Sequence, residues 1–234
     1  MKDAPMPELG PIPPAGMPGD ADLAAPEFLA SLLADGDDDT AAWVLSQELS
    51  GRPRAEVYDD VVRPAMRVVG ERWETGQWSI SVEHLASVAL SGALSRLRRD
   101  LQPESRVGPT AVLAAPETEQ HVAGLACLAQ VLEDDGWHVE NLGANVPAED
   151  LVVFLAGRNV DLVALSIGTA ERLPALRRTI EALRSSSGPA AKLPIIAGGN
   201  GIEDLPAPLA GLDRVCVSLV EARAFARSLG VAGG

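Results

Sequence analysis

The chain has 234 residues, 47% of them apolar, and a formal net charge of -14 at pH 7. That length suits one large domain or two small ones with real cores. The acidity argues against direct nucleic-acid binding, because phosphates would be repelled. Two cysteines in unrelated contexts, Cys127 and Cys216, make neither a disulfide framework nor a zinc spacing and suit a reducing cytoplasm.

Residues 1–20, MKDAPMPELGPIPPAGMPGD, are rich in Pro and Gly and hold no apolar core stretch. They read as a disordered tail rather than a signal peptide. No apolar run is long enough to span a bilayer. Residues 21–101 are predicted to form a four-helix bundle. AAPEFLASLLADG has apolar spacings of three and four and stops at Gly. TAAWVLSQELSG repeats the device, with Thr40 as N-cap and Gly51 as stop. AEVYDDVVRPAMRVVGERWETG is long and amphipathic, with Pro64 as a kink. SISVEHLASVALSGALSRLRRDL is the fourth, opened by Ser79 or Ser81. Short turns between them suit an antiparallel bundle.

The polar segment at 102–109 reads as a linker. From 110 to 234 the rhythm changes. TAVLAAP, WHVENLG, VDLVALSIG, LPIIAGG and RVCVSLV are five short strands, with helical segments between and after them. Strands alternating with helices predict a Rossmann-like parallel α/β domain. Its ligands bind past the carboxyl ends of the strands. Three features fall there: Glu119 to Gly124, Ser166 to Thr169, and Gly198 to Gly201. No G-x-G-x-x-G follows the first strand, and no phosphate-binding P-loop occurs. The glycines at 198–201 offer bare backbone where a large ligand could lie close.

His121 is one of three histidines. Glu119 can accept a hydrogen bond from one ring nitrogen, fix the tautomer and leave the other nitrogen for a metal. A bland account competes: a histidine at a helix start, paired locally with Glu119. One histidine is too few for a protein zinc site. It suits a metal that brings its other ligands, as in a corrin or a haem.

The spacing Glu119-x-His121-x-x-Gly124, then 41 residues, then Ser166, then Gly198-Gly199, resembles the cobalamin (vitamin B12) binding domain. That domain is shared by methionine synthase, corrinoid methyl carriers, mutases and light-sensing regulators. The resemblance implies that His121 is the lower cobalt ligand. It also implies that the displaced nucleotide tail enters near Ser166 and the glycines. Gly168 departs from the pattern, standing where Leu or Thr is usual.

The first half resembles the helical cap that precedes this domain. Trp73, nine residues, then Glu83-His84 is similar to the signature of CarH-type photoreceptors. The likeness implies adenosylcobalamin between cap and α/β domain, Trp73 filling space over the upper ligand, and Glu83 or His84 bonding the adenosine. Trp73 as hairpin packing and Glu83 as a helix-start carboxylate is the plainer alternative. Glu74 stands where some relatives place a His directly after the Trp. His84 is therefore the candidate upper cobalt ligand after photolysis, and His138 is expected to lie away from the corrin.

These resemblances imply a binding protein rather than an enzyme. Light would break the Co–C bond, and a conformational or oligomeric change would signal to an unidentified protein partner. A corrinoid methyl carrier is the alternative. CarH-type regulators carry a DNA-binding domain, so no direct nucleic-acid contact is expected from the acidic tail. A cap plus cobalamin domain is also similar to the photocobilins, which implies biliverdin as a second chromophore. Trp78, Tyr58, Arg67 and Arg72 are eligible around it, or are ordinary helix surface. Cys127 is expected in the core.

Overall fold

The structure is a computed structural model, and it describes residues 25–99, 108–202 and 209–230, of Arg99 the backbone only. The expected tail and most of the expected linker lie outside these residues. The chain divides into two compact units. One takes the described residues of Met1–Gly51 together with Val61–Ala93. The other takes Arg52–Asp60 and the described residues of Leu94–Gly234.

The helical unit contains α1 (Pro26–Ala34), α2 (Asp38–Leu49), α4 (Arg63–Glu74) and most of α5 (Ile80–Arg99). Pro26 opens α1, where its missing N–H costs nothing. Asp37, rather than Thr40, caps α2, its side chain accepting from the Thr40 amide at 3.0 Å. Thr40 is already inside the helix and buried. Gly51, at φ 94°, follows the end of α2. The Ser79 carbonyl accepts from the amides of Val82 and Glu83, which places Ser79 at the start of α5. The apolar spacing is realised in burial: Leu29 and Leu33 from α1, Val44 and Leu45 from α2, Ala65 and Val69 from α4, and Ala86 and Leu90 from α5.

The third predicted helix is interrupted. α3 (Arg54–Val57) runs into a π-helical turn, Tyr58–Val62, before α4 begins. Pro64 supplies the reason. Its ring would collide with the carbonyl of the residue four back, Asp60, and it has no N–H to donate there. Widening the preceding turn relieves the collision.

Arg52–Asp60 goes with the sheet because its side chains bond there. Arg54 donates to Asp134 at 2.8 Å. The Tyr58 hydroxyl donates to Gln130 at 2.7 Å. Asp59 accepts from the amides of Leu219 and Val220 at 2.9 and 3.0 Å. The last turns of α5 are tied similarly. Gln130 donates to the Leu94 carbonyl at 2.8 Å, and Arg98 pairs with Glu133.

The sheet is parallel throughout, in the order β2-β1-β3-β4-β5. Its strands are β1 (Thr110–Ala114), β2 (His138–Asn141), β3 (Leu162–Ser166), β4 (Ile195–Gly198) and β5 (Arg214–Cys216). The two-residue period of β1 sorts its side chains by face. Val112 and Ala114 pack with α7 (Ala148–Ala156) and α8 (Leu173–Ser185). Ala111, Leu113 and Ala115 pack with α6 (Ala123–Asp134) and α9 (Leu219–Ser228). Helices on both faces explain why β1 and β3 are nearly continuous apolar runs. The strand order reverses between β1 and β3, and such a reversal opens a crevice beyond the strands' carboxyl ends.

Candidate cobalamin site

The loops that follow β1, β3 and β4 carry residues singled out in the sequence. β1 delivers Glu119 and His121 just before α6. β3 ends at Ser166, paired in register with Gly198 of β4.

Glu119 is fully buried, which is unusual for a carboxylate. Three N–H groups account for it. One oxygen accepts from the His121 amide at 2.8 Å and lies 2.6 Å from the His121 ring nitrogen Nδ1. The other accepts from the Gly168 amide at 2.8 Å. Burial alone would raise the Glu119 carboxyl. The bonds from the His121 ring, the His121 amide and the Gly168 amide outweigh it and hold the group at about 2, below its ordinary 4.5. Glu119 is therefore an anion with only acceptors to offer, so Nδ1 carries the proton. The His121 side chain is 61% exposed, and a metal bond would be made through Nε2.

The Gly168 departure has a geometric counterpart. A Cβ at Gly168 would lie 2.7 Å from the His121 ring. The imidazole rests where a leucine or threonine side chain would begin. Gly124 is different: a Cβ there would meet only Ser166 Oγ, at 3.5 Å. Its missing side chain leaves bare surface beside the serine.

The glycines after β4 have a reason the sequence reading lacked. A Cβ at Gly198 would lie 2.8 Å from the Cys216 carbonyl oxygen, and one at Gly199 would lie 2.3 Å from that of Ile167. Gly199 also has φ 98°. Close backbone packing alone requires both, and it draws the β4 loop onto Ser166 and Ile167.

In the helical unit, Trp73 lies in the last turn of α4 and is 44% exposed. Glu83 and His84 lie in the first turns of α5. His84 Nδ1 is 2.5 Å from one Glu83 oxygen, and Ser87 donates to the other at 3.1 Å. His84 is 72% exposed. Ile80, Leu85 and Val88 are also exposed on α5. The structure thus gathers Glu119, His121, Gly124, Ser166, Gly198 and Gly199 in the sheet unit. It places Trp73, Glu83 and His84 in the other.

The remaining candidates fall elsewhere. His138 starts β2, at the opposite end of the sheet from His121. Cys127 is buried in α6, and burial together with the nearby Asp59 pushes its thiol up to about 12. The Arg72 guanidinium stacks over the Trp78 ring at 4.6 Å. Sequence reasoning missed Asn145 and Thr118, whose bonds flank Glu119.

Among the described residues, no group of three His, Cys, Asp or Glu side chains could hold a metal ion. Glu119 is spent on its three donors. His121 can therefore serve as a single protein ligand to a metal that arrives with the others in place. The bare surface at Gly124 and the oriented imidazole fit a corrinoid.

A B12 binding domain model matches residues 109–227, and a second B12 binding domain model matches residues 27–98. The chain belongs to the B12-binding family. Among curated relatives, the HTH-type transcriptional repressor CarH of Myxococcus xanthus is 34% identical over 157 residues, 67% of this chain and 51% of that protein. The chain spans about half the length of CarH and of the similar repressor CarA. The dimethylamine corrinoid protein of Methanosarcina barkeri is 24% identical over 86% of this chain and 95% of its own. The monomethylamine corrinoid protein of Methanosarcina barkeri shares the fold, with a TM-score of 0.70 at 18% identity, over 86% of this chain and 96% of the other. The fold is thus that of corrinoid proteins, a helical region followed by a five-stranded parallel α/β domain. No described helix is long and apolar enough to cross a membrane.

Proposed function

We propose that this B12-binding chain is a light sensor that holds adenosylcobalamin. His121 would be the lower cobalt ligand. Ser166, Gly124 and the loop at Gly198-Gly199 would receive the nucleotide tail. Trp73, Glu83 and His84 would face the upper ligand. The bound cofactor supplies a cobalt–carbon bond that light can break. The chain's own part is to hold one imidazole nitrogen by a buried carboxylate, to cover the upper ligand, and to favour different states before and after photolysis. The signal would pass to a protein partner or through self-association, without direct nucleic-acid contact. His84 would be the upper ligand after photolysis.

The observation that carries this reading is Glu83 paired with the exposed His84 at the start of α5, together with the exposed Trp73 at the end of α4, at the sequence spacing of the light-sensing branch. The 34% identity to CarH supports it. The corrinoid methyl carrier is the second reading, favoured by the near-complete coverage of the dimethylamine corrinoid protein. A carrier needs an upper face open to its methyltransferases, whereas a sensor needs that face covered. Biliverdin draws no support from Tyr58. Tyr58, one of its expected neighbours, is 1% exposed and spends its hydroxyl on Gln130.

The test is absorption spectroscopy of the protein with adenosylcobalamin in the dark, before and after green light. The sensor reading expects a bound spectrum that converts within seconds, and loss of that bound form in His121→Ala. Binding of methylcobalamin with no binding of adenosylcobalamin would favour the carrier.

A further inference from the structure

Two non-glycine residues among those described have left-handed backbone, Thr118 at φ 69° and Asn145 at φ 58°. They lie in different loops, after β1 and after β2, and they are bonded to each other. The Thr118 amide donates to Asn145 Oδ1 at 2.7 Å. The Asn145 amide donates to the Glu119 carbonyl at 2.9 Å. Asn145 thus grips the chain on both sides of the Thr118–Glu119 peptide. The neighbouring residues Pro116 and Val146 form a bridge of their own. Arg172 adds a bond from its guanidinium to Thr118 Oγ1 at 3.2 Å.

The two residues differ in how willingly they take this shape. Asparagine tolerates the left-handed region, and its side chain can substitute for a backbone turn. A β-branched residue there is an outlier that persists only when its surroundings hold it. The strained residue is thus the one next to Glu119. The turn at Thr118 sends the Glu119 carboxyl inward to full burial and leaves His121 at the surface. If Thr118 relaxed to negative φ, the carboxyl would be carried away from the His121 ring and from the Gly168 amide.

We propose that Asn145 is a positioning residue for His121: it holds the strained turn at Thr118 and so fixes the Glu119–His121 pair in the orientation a cobalt ligand needs. The proposal rests on the reading of His121 as that ligand, and its own test has an arm free of cobalamin. Four variants of the full chain separate the contributions. Asn145→Gly keeps the left-handed backbone and removes the acceptor. Asn145→Asp keeps the acceptor. Thr118→Gly removes the strain. The fourth joins Thr118→Gly to Asn145→Gly.

The first readout is the long-range 15N–1H correlation of the His121 ring in the apoprotein. The second is the dissociation constant for adenosylcobalamin in the dark. Wild type and Asn145→Asp are expected to show the single Nδ1–H tautomer. Asn145→Gly is expected to show a tautomer mixture and roughly two- to tenfold weaker binding, the scale of one net hydrogen bond. The double variant is expected to recover the tautomer. A lowered melting temperature in Asn145→Gly with wild-type tautomer and affinity would overturn the proposal, since a merely structural role gives that pattern. So would a double variant that fails to recover. If His121→Ala binds the cofactor as wild type does, the cobalt-ligand reading falls, and the tautomer still decides the role of Asn145.

Discussion

Replacing Glu119 by Gln tests the electrostatic core of the site without a cofactor. The two carboxylate oxygens accept three N–H donors in a fully buried position. Glutamine has one acceptor oxygen, and its NH2 would face a donor. The carboxyl is held at about 2 instead of 4.5. That difference corresponds to roughly 3 kcal/mol of stability carried by the ionised form. The folded-state value is the depressed one. The contribution is therefore fully present above about 4.5 and is lost as pH falls toward about 2. At pH 6 the apoprotein with Glu119→Gln should be less stable by roughly 3 kcal/mol, and by pH 3 the gap should shrink to less than half. Urea unfolding followed by amide exchange in β1 and β3 peptides reads the sheet unit separately from the helical one. A gap that is the same at both pH values, or wider at pH 3, would refute the reasoning.

Gly199→Ala should destabilise the sheet unit by roughly 1–3 kcal/mol, because it combines left-handed backbone with a 2.3 Å contact to the Ile167 carbonyl oxygen; urea unfolding measures it. Gly168→Ala should push the His121 ring off its seat and weaken cobalamin binding by roughly tenfold, the loss of one charge-assisted bond. Its urea midpoint should move little, and unchanged affinity would show that the ring adjusts freely. Asp59→Ala removes the acceptor from the first amides of α9 and should cost about 1 kcal/mol. Faster exchange at Leu219 and Val220 would report it.

Period and spacing made most of the fold legible. Five apolar runs separated by helical patterns gave the parallel sheet, and the order β2-β1-β3-β4-β5 then set His121 and Ser166 at its switch point. Local patterns could not show where the Arg52–Asp60 segment belongs. Its helix reads like its neighbours, and what assigns it is Arg54 to Asp134, Tyr58 to Gln130 and Asp59 to α9, contacts far apart in sequence. Thr40 looked like a cap by residue type, yet the geometry chose Asp37, three residues before the amide that needs an acceptor. In the site, the Glu119–His121 pairing was legible because its partners are two residues apart. The third donor, the Gly168 amide, was not, because any residue supplies an amide. Asn145 left a faint signal: a Gly-x-Asn-x-Pro sequence in a loop marks a residue able to take left-handed backbone. Thr118 left none, since nothing in its residue type favours that conformation.

The light-sensor reading depends on His121 as the cobalt ligand. Electron paramagnetic resonance of the cob(II)alamin complex, prepared with uniformly 15N-labelled protein and unlabelled cofactor, tests it most directly. A protein imidazole ligand is expected to split the cobalt lines into doublets, and His121→Ala should abolish them. Triplets from the cofactor's own 14N base, unchanged in His121→Ala, would contradict the account.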